Sequence, residues 1–282
     1  MAQSRNEVVP SGGSATLAST TPTSISVSSN TYTLGISLSG TANGSETLTV
    51  SPVDDSIYDA AGNEASTSQS NNTATLNSPN YVLNLNGSNS NNRQRVHLSN
   101  SAALRPDAFT IQLWVNPDVV ETAHLVFRVK TYKIVMSSSA FGGFVRGSGA
   151  PSPVWQGAWS SDIPPSTTGW YHIVLTFASS VTKLYVNGNN VATTSTSGYT
   201  TNQTTQYVGI GDKAQNEDDE PFDGQIDEFA FWNEALTASE ITALYNSGNG
   251  LNAYVNSTDY TSSSNLVTYL QMQSNVNSTT GR

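Results

Sequence analysis

The sequence predicts an all-β protein built as an antiparallel sandwich, and three observations lead there. First, apolar residues recur at every second position, the period of a strand with one buried face. Phe109, Ile111, Leu113 and Val115 alternate with Thr110, Gln112 and Trp114, and Tyr171, Ile173, Leu175 and Phe177 repeat the pattern. Second, such runs end at turn signals, of which Asn116-Pro117 and Asn187-Gly188 are the clearest. Third, helical spacing appears once, at Ile241, Leu244 and Tyr245, behind a Thr237-x-x-Glu240 capping box.

Residues 1–78 are poor in aromatics and rich in Ser, Thr, Gly and Asn. Tyr32-Thr-Leu-Gly-Ile-Ser-Leu and Glu46-Thr-Leu-Thr-Val read as strands separated by turns at Gly40 to Gly44. The stretch Asp54 to Ser66, followed by Thr73-Ala-Thr-Leu, resembles the C-terminal half of bacterial Ig-like repeats, where an Asp-x-Ala-Gly-Asn turn precedes the last strand. A complete Ig-like sandwich needs about seven strands, whereas about four or five fit here. The segment therefore reads as a small, incomplete Ig-like β domain. Open edges would be covered by docking on the second domain or by strand addition from a neighbouring copy.

Residues 79–250 form the main domain. Tyr81-Val-Leu-Asn-Leu-Asn-Gly begins it, Lys183-Leu-Tyr-Val-Asn187-Gly188 opens a hairpin on an Asn-Gly turn, and Val208 to Gly211 form a short strand. Strict alternation from Gln225 to Trp232 puts Gln225, Asp227, Phe229 and Phe231 on one face, with Ile226, Glu228, Ala230 and Trp232 on the other. Residues 251–282 carry Leu266-Val-Thr-Tyr-Leu-Gln-Met, which is a final strand rejoining the sandwich or the first strand of a truncated repeat.

Five motifs stand in a telling order: Phe109-Thr-Ile-Gln-Leu-Trp-Val, Gly169-Trp-Tyr-His-Ile-Val-Leu-Thr-Phe, Lys183-Leu-Tyr-Val-Asn-Gly, Val208-Gly-Ile-Gly and Phe222-Asp-Gly-Gln-Ile-Asp-Glu-Phe-Ala-Phe-Trp. In this they resemble the laminin G-like, concanavalin A-like lectin/glucanase jelly rolls. The resemblance implies two packed antiparallel sheets, closed by the helix after the Asp227-Glu228 strand.

Composition excludes several functions. With a formal net charge of -10 and only 11 Lys and Arg residues, the chain lacks the clustered cations that nucleic acids and anionic membranes require. It has no cysteine, and hence no disulfide or thiolate chemistry. No stretch approaches the roughly 18 apolar residues of a membrane span, and the polar start lacks the apolar run of a signal peptide. Neutral polar side chains carry the solubility, as in extracellular β-rich modules and particle surfaces. The expectation is an extracellular surface protein on a virion or cell-surface appendage, a phage particle being favoured because it assembles without a signal peptide. A piece of a large bacterial adhesin is the alternative. The expected partners are glycans or a host surface, and neighbouring copies in an assembly.

Catalysis is not expected. Some jelly rolls of this kind are glycosidases, and retaining hydrolysis needs two carboxylates about 5–5.5 Å apart. Here an amide, Gln225, and Phe229 or Ala230 occupy the corresponding strand positions. His97, His124 and His172 lack metal spacing, and His172 reads as a sheet-surface residue. Trp155, Trp159, Tyr132, Tyr199 and Tyr207 are candidates for sugar stacking, because an aromatic ring offers an apolar face with a polar edge. The Val154-to-Trp159 loop is the best single candidate, packing being the competing role. Asp212, Asp218, Asp219, Asp223 and Asp227 could supply hard oxygen ligands to calcium, or could simply solvate a loop.

Overall fold

The computed structural model describes residues 7–11, 15–19, 23–28, 31–39, 47–51, 58, 61–68, 70, 72–75, 82–87, 94–148, 155–161, 163–195, 197–202, 204–213 and 220–272. The chain divides into two compact units at Asn80/Tyr81.

The first unit holds β1 (Glu7–Ser11), β2 (Thr16–Leu17), β3 (Ser24–Ser28), β4 (Thr31–Gly35), β5 (Leu38–Ser39), β6 (Thr47–Ser51) and β7 (Thr73–Thr75). Three antiparallel groups result: β1-β6-β7, β2-β5 and β3-β4. Among the described residues seven strands stand where four or five are expected. The additional ones are short and weakly apolar: Thr16–Leu17 spans two residues, and Glu7–Ser11 and Ser24–Ser28 carry two Val or Ile side chains each. The turn at Ala61-Gly62 lies between the bridged residues Tyr58 and Glu64, while Gly40 to Gly44 lie outside the described residues.

The second unit is a sandwich of two seven-stranded antiparallel sheets. Its elements are β8 (Leu83–Leu85), β9 (Val96–Leu98), β10 (Phe109–Pro117), β11 (Ala123–Arg128), β12 (Tyr132–Met136), β13 (Phe141–Ser148), β14 (Trp155–Trp159), β15 (Tyr171–Ala178), β16 (Val181–Val186), β17 (Asn189–Ser195), β18 (Thr200–Thr201), β19 (Val208–Ile210), β20 (Gly224–Trp232), α1 (Ala238–Tyr245) and β21 (Leu266–Leu270). The first sheet runs β17-β16-β15-β10-β20-β21, with β8 also on β20; the second runs β14-β13-β12-β11-β19-β9, with β18 on β13.

Between the sheets lies the main core. Phe109, Ile111, Leu113 and Val115 meet Ile173, Leu175 and Phe177 from one sheet and Val126, Tyr132, Ile134, Met136 and Val145 from the other. Phe109 anchors an aromatic cluster, with centroids 5.2 Å from Tyr132, 5.7 Å from Phe231 and 5.9 Å from Phe177. The first sheet's outer face is buried as well. There Val174, Tyr185, Ala230 and Trp232 pack with Ile241 and Leu244 of α1 and with Tyr260. His172 belongs to this buried layer and not to an open sheet surface. Its Nε2 lies 3.0 Å from Gln112 Oε1, and its ring lies against Trp114 and Tyr245.

Strict alternation fails in β20. Gln112 faces Ala230 and Trp114 faces Asp227, so Leu113 confronts both Glu228 and Phe229. This β-bulge, with Glu228 at φ 50°, resets the phase. Ile226, Phe229 and Phe231 consequently share the core face, while Ala230 and Trp232 turn toward α1. The capping box is present: Thr237 Oγ1 accepts from Glu240 N, and Glu240 Oε2 accepts from Thr237 N. β21 pairs with β20, so the C-terminal run is the strand that rejoins the sandwich.

Candidate functional site

The run from Trp155 to Trp159 is a strand, β14, rather than a loop, and one side chain fixes its phase. Gln156 is buried, its Nε2 donating to Ser180 O and Thr194 O at 2.8 Å each. With Gln156 turned inward, Trp155, Gly157 and Trp159 share the opposite, outer face. The close fit of β14 on β13 depends on Gly157, where a Cβ would stand 1.9 Å from Gly143 O.

Registers across the second sheet assemble the rest of that face. Gly157 pairs with Phe144, Phe144 with Lys133, Lys133 with Phe127, Phe127 with Gly209 and Gly209 with His97. A parallel row joins Trp159, Gly142, Val135 and His124. The Trp159 and Phe144 rings meet edge to face at 5.5 Å, and a Cβ at Gly142 would strike both rings. Trp159 is 44% exposed.

Beside these rings the face turns cationic. Lys133 Nζ lies 5.2 Å from the Phe144 centroid and 5.1 Å from that of Trp155. Arg146 Cζ is 5.8 Å from Trp155, and Lys213 Nζ 5.9 Å from Phe127. Glu220 Oε2 stands 2.9 Å from His124 Nδ1 and 3.7 Å from Lys213 Nζ. Burial, followed by the Lys213 and Lys133 charges, pushes His124 down to about 3 against a hydrogen bond to the Glu220 backbone, so its imidazole is neutral at pH 7. Burial also lowers Lys133, Glu220 pulling the other way and Lys213 adding to the fall.

Of the five aromatic candidates, three belong to this face and two do not. Trp159 offers an open ring, whereas Trp155 is half-buried and attended by two cations. Tyr207, 48% exposed, stacks on His97 at 6.1 Å at the β9 edge. Tyr132 is fully buried in the core with its hydroxyl donating to Leu104 O, and burial pushes it up to about 12. Tyr199 is buried too, donating to Val145 O and accepting from Gly147 N. Neither Tyr132 nor Tyr199 presents a ring to a ligand. Sequence reading missed Phe144, Lys133, Arg146 and Lys213, which only strand register brings together.

The acidic candidates are dispersed. Asp212 is buried, accepting from Arg95 Nη1 at 3.0 Å and from Lys213 N at 2.7 Å. Asp227 is buried on β20 and accepts from Glu228 N. Asp223 is half-buried, close enough to Gly87 that a Cβ there would clash. Asp218 and Asp219 lie outside the described residues. Among the described residues no three His, Asp or Glu side chains form a metal-holding group.

Two antiparallel sheets, one covered by a helix and the other bearing an aromatic outer face, define a jelly-roll sandwich of the lectin type. The sequence profile of the concanavalin A-like lectin/glucanases superfamily matches residues 89–242, more than half of the chain, and the chain belongs to that superfamily. Similar solved structures include a Bacteroides ovatus protein assigned to carbohydrate binding, at TM-score 0.50 and 15% identity over 98% of this chain and 82% of the other. The heptameric SAP-like pentraxin of Limulus polyphemus is similar at TM-score 0.46 and 16% identity, over 67% and 89%. The CBM40 domain of the Ruminococcus gnavus IT-sialidase, solved with sialyllactose, matches at 0.44 and 14%, over 54% and 97%. No curated protein sequence matches the chain.

Proposed function

We propose that this chain binds glycans without transforming them, using the outer face of its second sheet. One observation carries the reading: Trp159, exposed and braced by Phe144, presents an aromatic ring on a strand held from behind by Gln156. Stacking a sugar on such a ring buries apolar C–H surface while its hydroxyls remain in water. Membership of a lectin/glucanase superfamily supports the ligand class. The absence of a carboxylate at Gln225 supports binding without hydrolysis. The setting that fits best is extracellular display on a particle or appendage, a virion component first and a cell-surface adhesin second, with the Ig-like N-terminal unit engaging neighbours. The composition, 11% charged and rich in neutral polar residues, supports that setting.

The test is a glycan array probed with the wild-type chain and with Trp159→Ala, alongside product analysis by mass spectrometry. Binding that Trp159→Ala reduces about tenfold or more, a loss typical of a buried aromatic contact, without new products, is the expected result. Released oligosaccharides would overturn the non-catalytic assignment, and an array blank for the wild-type chain would overturn glycan binding.

A further inference from the structure

The basic residues of this chain are scarce and unevenly placed. Eleven serve 282 residues, yet Lys130, Lys133, Arg146 and Lys213 line one cavity of about 260 Å³ beside Trp155, with Glu220 as its only described carboxylate. Four cations against one anion leave an excess of three positive charges in a protein of formal net charge -10. Like charges brought together in a partly buried site repel one another, which costs stability unless something answers them. Aromatic rings answer only in part, since cation–π contacts leave the N–H donors unpaired. Among the described residues nothing accepts from the buried Arg146 Nε.

We infer that this cavity takes the anionic substituent, carboxylate or sulfate ester, of an acidic sugar whose ring lies on the Trp159–Phe144 side of the same face. The inference rests on the glycan-binding reading above and narrows its ligand class. The cavity lies below the roughly 300–1,000 Å³ of drug-sized sites, which suits one charged sugar unit rather than a chain. Arg146 supplies a planar fork for paired oxygens, while Lys133 and Lys213 supply point charges already stripped of part of their water. Trp155 acts as a positioning residue, since its ring lies against both Lys133 and Arg146.

The experiment is calorimetric titration of the full chain with three probes. They are a hyaluronan tetrasaccharide, the same tetrasaccharide with its carboxylates reduced to alcohols, and a 6-sulfated N-acetyllactosamine. One or both acidic probes are expected to bind about tenfold or more tighter than the reduced one, as charge-assisted hydrogen bonds allow, and the tighter acidic probe identifies the group accepted. That preference should shrink between 50 and 500 mM NaCl, in about the way a screened charge contact does. Lys133→Met with Lys213→Met should bring acidic and reduced probes to within about twofold, because the apolar stems that cover Phe144 and Phe127 are largely kept. Should the double variant fail to fold, the salt dependence of the wild-type preference decides.

Equal binding of acidic and reduced probes would overturn the inference, as would an acid preference insensitive to salt or surviving in the folded double variant. If neutral glycans bind while acidic probes gain nothing, only this inference falls. If no glycan of any kind binds, the underlying reading falls with it. The acidic run Glu217-Asp218-Asp219 follows Lys213 in sequence and is a rival source of counter-charge. Absence of acidic-probe binding that returns on neutralising those three residues would also refute the inference for the native chain.

Discussion

Glu228 concentrates several constraints in one residue. It occupies the left-handed region at φ 50° inside a bulge, and the Tyr269 hydroxyl donates to its Oε2. Burial, then the neighbouring Asp227 charge, raises its carboxyl to about 8. The folded state therefore favours the protonated acid, and that contribution is whole below about pH 4.5 and lost as pH rises through about 8. The buried imidazoles act in the opposite sense. His172, through burial, and His124 are both held down to about 3, so their contribution is whole above about pH 6.5 and lost as pH falls toward 3. Glu240 joins them on the acid side: burial pushes its carboxyl up, but hydrogen bonds from Ser262, Thr237 and Thr261 outweigh burial and hold it below its ordinary value. Two histidine slopes rise until about pH 6.5 while one glutamate slope falls, so the melting temperature should peak near there. Calorimetric melts from pH 4 to 9 check this. Glu228→Gln should flatten the alkaline limb and steepen the rise between about pH 4.5 and 6.5, where the glutamate slope no longer opposes the histidines; an unchanged alkaline slope would contradict the assignment.

At the level of elements, the parts legible in the sequence are those governed by local chemistry. The Thr237–Glu240 box, the Asn187-Gly188 turn and the alternation of β10 and β15 could each be read because the residues that specify them are adjacent in the chain. The bulge in β20 left no local mark, since a non-glycine residue adopts the positive φ and the pattern of apolar letters stays plausible in either phase. The sequence of β14 resembles a loop because Gly157 and the flanking tryptophans look like turn punctuation, whereas Gly157 is required by close approach to β13. Site assembly was the least legible, because Lys133, Phe144 and Trp155 meet only through register, and Tyr132 and Tyr199 proved to be core residues of the same ring chemistry. Two substitutions separate local from long-range specification. Thr237→Ala should lower stability by about 1 kcal/mol, the usual worth of an N-cap, with glycan binding intact. Gly157→Ala must relieve a backbone clash as well as an unfavourable φ of 152°, and should cost about 1–3 kcal/mol while also weakening glycan binding by displacing Trp159. Chemical denaturation with a binding measurement on each variant distinguishes them; intact binding in Gly157→Ala would show that β14 does not set the platform.

Across the whole jelly-roll unit, both ends of its chain close one strand. β8 pairs with Gly224 to Ile226, and β21 with Phe229 to Trp232, on the edge of β20 that β10 leaves open. The segment leading into β21 is fastened along its length: Tyr260 donates to Ala253 O and accepts from Trp232 Nε1, and Ser262 Oγ donates to Glu240 Oε1 at 2.6 Å. Residues 251–272 are thus structural, since they satisfy the buried indole, the helix-capping carboxylate and the edge of the strand carrying Phe229 and Phe231. A chain ending at Gly250 would leave half of β20 as an unpaired apolar edge, a template for aggregation, and would strand the Trp232 N–H at about 1–3 kcal/mol. Such a chain should be insoluble or lose its cooperative melt. Tyr260→Phe offers the graded version, costing about 1–3 kcal/mol by orphaning the Trp232 indole N–H and the Ala253 carbonyl together. A cooperative melt of the Gly250-terminated chain within a few degrees of the full chain would show that β20 tolerates an open edge, and that the jelly roll is complete without its last strand.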